Sequence, residues 1–161
     1  MSKSTDYTAE EWKAISSAPM MVGLLVSVSD VSGPVGMVKE AMAVVKAVTE
    51  TATSTSNELI RAVAEAVKAG GVKPDTSELR ADPTRVRAIL IERCKQAAAF
   101  VGQKSAGEAE EYKRWLVLLA QKTAEASKEG GFLGIGGTLV SDAEKTAVGE
   151  IAAALGVSAT S

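Results

Sequence analysis

The residues nearest to a known chemical pattern lie in the last third of the chain. Gly131 to Thr138 reads G-x-x-x-x-G-G-T, one residue away from the phosphate-binding loop G-x-x-x-x-G-K-T/S. The missing residue is the lysine that neutralises β/γ-phosphate charge, and Gly137 stands in its place. The stretch also follows a helical pattern instead of a buried strand. Nucleotide binding is therefore set aside, and the dinucleotide fingerprint does not fit either. What is left is an apolar loop, Gly130 to Gly137, that sets Phe132, Leu133 and Ile135 among five glycines. The glycines would let it pack tightly on its own bundle, the favoured account of the loop. As an exposed apolar patch it would instead dock a protein, which makes Phe132, Leu133 and Ile135 the expected partner-binding residues. Contact with a membrane surface is the third reading, and the loop lacks the flanking basic cluster that would favour it.

Acids flank the same loop. Glu129, Ser141, Asp142 and Glu144 surround this turn, and Asp30, Ser32 and Glu40 surround an earlier one. A hard cation such as calcium needs several such oxygens, but neither turn matches the twelve-residue calcium loop. Acids near helix N-termini are also stabilised by the helix dipole, and capping is the favoured reading. If a metal binds, the expected ligands are Glu129, Asp142 and Glu144.

Other chemistry is missing. The chain has no histidine, which removes the commonest general base, the Ser–His and Cys–His pairs and the commonest transition-metal ligand. Its single cysteine, Cys94, cannot form a zinc or iron–sulfur site alone. It falls in line with Val86, Leu90 and Ala97 and reads as a small buried apolar side chain, although Arg93 and Lys95 flank it. Carboxylate catalysis would need two acids converging in a cleft. The acids sit mostly at caps or on faces that read as solvated, so no enzyme and no cofactor is expected.

Size and composition narrow the class. The 161 residues suffice for one domain with a core, and the 18 basic and 20 acidic side chains nearly balance. A nucleic-acid binder needs a basic face, and there is no basic cluster. One cysteine fits a reducing compartment. The N-terminus lacks the apolar core of a signal peptide. The longest apolar run, Ala18 to Val28, is about half of the roughly 20 residues of a membrane span. The expectation is a cytoplasmic protein whose first seven residues form a tail.

The elements that must position these residues are helices. The capping box Ser/Thr-x-x-Glu appears at Thr8–Glu11, Thr55–Glu58, Ser105–Glu108 and Ser141–Glu144. Pro34 and Pro83 mark two further starts. The pattern predicts helices over 9–29, 34–52, 56–69, 83–103, 106–128 and 142–155. Pro19 is a kink or break in the first, and Met20 to Val28 is apolar all round. The second carries Val38, Met42, Val45 and Val48 on one side. The third ends at Gly70-Gly71, and residues 71–82 form a polar connection with one short turn at Thr76–Arg80. No segment alternates with period two. The fold class is all-α, a single compact bundle of about six helices with the glycine-rich apolar loop before the last. Leu24–Glu40 and Leu116–Glu144 also echo one another as two related hairpins.

The segment from Leu116 to Gly130, then Leu139 to Glu144, then Ile151 to Val157 resembles the tellurite-resistance TerB-like family. That family shows an apolar helix, Ala-Asp-Gly, a turn, Ser-x-x-Glu and a helix ending Leu-Gly-Leu. The resemblance implies paired helical hairpins, a link to stress-response systems in bacteria and acidic turns that hold a metal ion. The chain departs from the pattern at Glu129-Gly130, at the apolar insertion Gly131 to Thr138 and at the split pair Asp30-Val31-Ser32-Gly33. The expected function is a non-enzymatic binding or scaffold protein that meets a protein partner, or a second copy of itself, through the glycine-rich loop. Homo-oligomerisation is suggested by the surplus of apolar surface on Met20–Val28. The alternative is a carrier or sensor whose methionine-containing helices, Met20–Val28 and Met37–Val48, enclose a small apolar ligand.

Overall fold

The computed structural model describes residues 3–29, 33–129 and 141–158, with side chains except at 33–40, 83 and 127–129. It is built from α-helices: α1 (Ala9–Ser29), α2 (Gly33–Thr53), α3 (Glu58–Lys68), α4 (Ser77–Ala81), α5 (Val86–Lys104), α6 (Ala106–Glu129) and α7 (Asp142–Leu155). Six match the expected segments, and α4 is the short turn expected near Thr76–Arg80. The described residues contain no strand.

The helix ends follow local chemistry. Thr8 and Glu11 form the expected box: the Thr8 N–H donates to Glu11 Oε2 (2.8 Å) and the Glu11 N–H to Thr8 Oγ1 (3.2 Å). Thr55 does not cap α3. Its hydroxyl accepts from the Asn57 N–H, and Asn57 is the cap, its Oδ1 accepting from the N–H groups of Leu59 and Ile60. Asparagine at least equals threonine as a cap, and its other side-chain atom, Nδ2, reaches Glu111 on α6 at 2.6 Å. Ser105 closes α5 by donating its N–H to Val101 O and opens α6 by accepting the Glu108 N–H on its hydroxyl oxygen. Gly70 and Gly156 end α3 and α7 with φ of +69°, the left-handed cap that glycine adopts without penalty.

The first helix is the axis of the bundle. It packs against α2, α3, α5, α6 and α7, most extensively against α5. This explains its all-round apolar middle: Met21, Val22, Leu25 and Val26 are each at most 2% exposed. Met20 and Leu24 in the same stretch are only partly buried, and Val28 is 39% exposed. By length and composition α1 is long and apolar enough to cross a membrane, and the bundle buries most of it. Pro19 does not break it; α1 runs on from Ala9 to Ser29.

The second helix faces the core differently from the expectation. Met42 is 69% exposed, while Val44, Ala47, Val48 and Ala52 are buried. Alanine and valine lie on every side of α2, so apolar periodicity alone leaves its rotation open. Close approach to α1 decides it, because Gly23 presses directly on Val44. Polar bonds tie the other helices together. Trp115 Nε1 donates to Thr51 Oγ1 (2.8 Å), and Arg87 pairs with Glu150 between α5 and α7 (2.7 Å). Residues 4–6, expected in a tail, form a short 3-10 turn, and Tyr7 is buried beside the Trp12 ring.

Candidate ligand-binding cleft

The residues singled out at the end of α6 and the start of α7 divide into three groups. Phe132, Leu133 and Ile135, with the rest of the glycine-rich loop, lie outside the described residues, as do Asp30 and Ser32. The side chains of Glu129 and Glu40 lie outside them too. Asp142 and Glu144 are described, and their settings differ. The Asp142 carboxylate projects into solvent, 4.0 Å from Lys145 Nζ. Glu144 is 2% exposed and turned back on the helix start, its Oε2 accepting from the Ser141 N–H at 2.9 Å. The Glu144 N–H returns a bond to Ser141 Oγ at 3.2 Å, completing the capping box. This carboxylate therefore stabilises the N-terminus of α7. Among the described residues, no three His, Cys, Asp or Glu side chains converge on one point.

Cys94 is fully buried in α5, its Sγ 4.0 Å from Ala18 O. Burial pushes the thiol from an ordinary value of 9.0 up to about 12. The neutral thiol is the form the fold favours, so the stability it contributes is complete below about pH 9 and is lost as pH rises towards 12. We expect Cys94→Ala to flatten the alkaline fall in stability between those values, by up to roughly 1.4 kcal/mol per pH unit. Urea titrations at stepped pH measure this. The native thiol should also resist a maleimide at neutral pH until the protein unfolds, and rapid labelling of folded protein would contradict the assignment.

The described surface does contain an apolar cleft. Between α1 and α2 lies a space of about 230 Å³, lined by Met20, Met21 and Leu24 from α1, Ala41 and Val44 from α2, and Pro74 from the connection that follows α3. Local sequence explains each wall. The unbranched methionines adapt to an irregular boundary. Ser27, also at the lining, spends its hydroxyl on Gly23 O (3.0 Å), so it adds no free donor. Ala41 is short enough to leave the mouth open.

A second cleft of about 180 Å³, of mixed character, lies between α1 and α5, with Glu10, Lys13, Asp75, Arg93 and Gln96 among its lining beside Ala14, Ala18 and Met21. Met21 is common to both clefts. Residues 71–76 thus run across α1 as a strap, with Pro74 and Thr76 on the apolar side and Asp75 on the other. Asp75 is bonded by the Ser77 hydroxyl (2.6 Å) and N–H (3.0 Å), which hold its carboxyl below the ordinary value, with Lys13 and Arg93 adding to the effect. Arg93 donates to the Asp75 carbonyl and, at 2.9 Å, to Glu78 on α4.

The apolar cleft lies between the two helices expected to enclose a small ligand, Met20–Val28 and Met37–Val48. Residues 71–82 are a polar connection in the sequence, and nothing in them announced a roof. Their one local signal is Asp75-Thr76-Ser77, a turn that starts a helix and so pins the strap at that end. A broader and more open groove of about 360 Å³ along α5, α6 and α7 is walled by alanines, Gly102 and Leu155, with Lys95, Glu110 and Lys113 bringing charge to it. Comparison with family models, with curated proteins and with solved structures finds no match to this chain.

Proposed function

We propose that this chain is a non-enzymatic helical binding protein whose α1–α2 cleft receives a small apolar ligand or the apolar end of a larger one. The carrying observation is the lining: methionine, leucine, alanine, valine and proline from three separate elements around one open space. Its size sets the ligand. About 230 Å³ exceeds the roughly 150 Å³ cavity known to hold benzene. It falls short of the roughly 300 Å³ at which drug-sized sites begin. A single ring or a short acyl end fits that interval. The likeness of the α6–α7 region to TerB-like proteins adds a stress-response setting to this proposal. It rests on the residues of that hairpin alone.

The test is binding of an uncharged naphthylamine dye, read as a saturable rise in fluorescence, together with native mass spectrometry for a co-purified ligand. Ala41→Trp places a large ring at the mouth from an exposed helix position. We expect it to abolish dye binding while changing stability by no more than about 0.5 kcal/mol. Dye binding that survives this replacement unchanged would place the ligand elsewhere.

A further inference from the structure

We infer that residues 71–76 are a gate latched by Arg93, and that its release joins the two clefts flanking it into one binding site; the second half of this rests on the ligand reading above. The strap begins at Gly70, whose φ of +69° needs no side-chain accommodation, and Gly71 follows it. Those two residues allow the backbone to pivot where α3 ends. Its attachment beyond that point is slight. Val72 is only partly buried against the core, and Leu79 is the buried residue of α4. Among the described residues, both side-chain hydrogen bonds that tie 71–81 to another helix come from Arg93: one to the Asp75 carbonyl, one to Glu78. A segment with so few buried apolar contacts opens more readily than the helices beneath it.

The two clefts give that opening a purpose. Each alone, at about 230 and 180 Å³, lies below the roughly 300 Å³ of a drug-sized site. They share Met21, and the strap crosses between them. With the strap lifted, their joined space passes that threshold. It is then a groove along α1, with apolar walls at Met20 and Leu24 and charged or polar side chains at its other end in Glu10, Lys13 and Gln96. The ligand class that matches such a groove is an amphiphile, its apolar part towards α2 and its polar part towards α5.

Hydrogen exchange on the full chain tests the latch without any ligand. In Arg93→Ala, the amides of residues 72–78 should exchange about tenfold faster, while those of α5 on either side of position 93 keep their protection. Glu78→Gln weakens one of the two bonds from outside the cleft lining and should give a smaller change in the same direction. The naphthylamine dye should associate faster with both variants than with the parent protein. Unchanged strap exchange in Arg93→Ala, or equal loss of protection along α5, would overturn the latch. Faster strap exchange with an unchanged rate of dye uptake would overturn the gate. Faster strap exchange with no dye bound by any of the three proteins would support the latch and reject the ligand reading.

Discussion

Replacing Tyr112 with Phe should destabilise the protein by about 1–3 kcal/mol, the cost of leaving a buried polar group without its partner. The cause lies on another helix. Pro19 has no N–H, so in α1 it cannot supply the bond that residue 19 would otherwise make to the carbonyl four residues earlier, Ile15. The helix nevertheless runs through this position, because the Tyr112 hydroxyl on α6 donates to Ile15 O at 2.6 Å. Ile15 and Tyr112 are both fully buried, leaving no exposed side from which water would substitute. Tyr112→Phe keeps the ring and removes only the donor. The decisive control is Pro19→Ala, which restores a backbone N–H aimed at the same carbonyl. In that background Tyr112→Phe should cost much less. The coupling between the two sites, read from urea midpoints at constant slope, should reach about 1 kcal/mol or more. Equal costs in both backgrounds would show that the hydroxyl matters for some other reason.

This pair also marks the boundary of what the residues disclose in order. Helix limits were legible because caps are local: Thr8–Glu11 and Ser141–Glu144 each settle within four residues. Cys94 was legible as a core position because its neighbours at helical spacing, Leu90 and Ala97, are apolar. Pro19 was visible as an anomaly, but its compensation comes from residue 112, and no local pattern connects the two. The rotation of α2 was hidden for another reason. With alanine and valine all round, the sequence offers several stripes of similar apolarity. Only the partner helix chooses among them, and Met42 and Val45 lose to Val44 and Ala47. The cleft was half legible. Its two helices stood together only in the alternative reading, as the enclosure of a ligand, while the segment beside it reads as a polar connection and Arg93 as a neighbour of the cysteine. Both gain a role only once α5 lies beside α1.

Gly23→Ala should destabilise the protein by roughly 1–3 kcal/mol, although alanine is the better helix former by about 1 kcal/mol. A Cβ at this position would sit 2.1 Å from Val44 Cγ2 and 3.2 Å from Val44 Cβ. The nearer contact is far inside van der Waals separation. Turning Val44 about its side-chain bond offers little relief, because its other methyl is 3.4 Å away and the residue is 1% exposed. Either α1 and α2 separate or the core repacks, and both sacrifice contacts along the line that forms the apolar cleft. Position 149 provides the opposite sign within the same protein. Gly149 lies inside α7 with nothing within 4 Å of an added Cβ, so Gly149→Ala should stabilise by about 0.5–1 kcal/mol. Shortening the obstacle completes the test: in a Val44→Ala background, Gly23→Ala should lose most of its cost. Denaturant midpoints for the four combinations at positions 23 and 44 measure this directly. A Gly23→Ala protein as stable as the parent would mean that α1 and α2 do not meet at this distance. The rotation assigned to α2, and the cleft beside it, would then need to be redrawn.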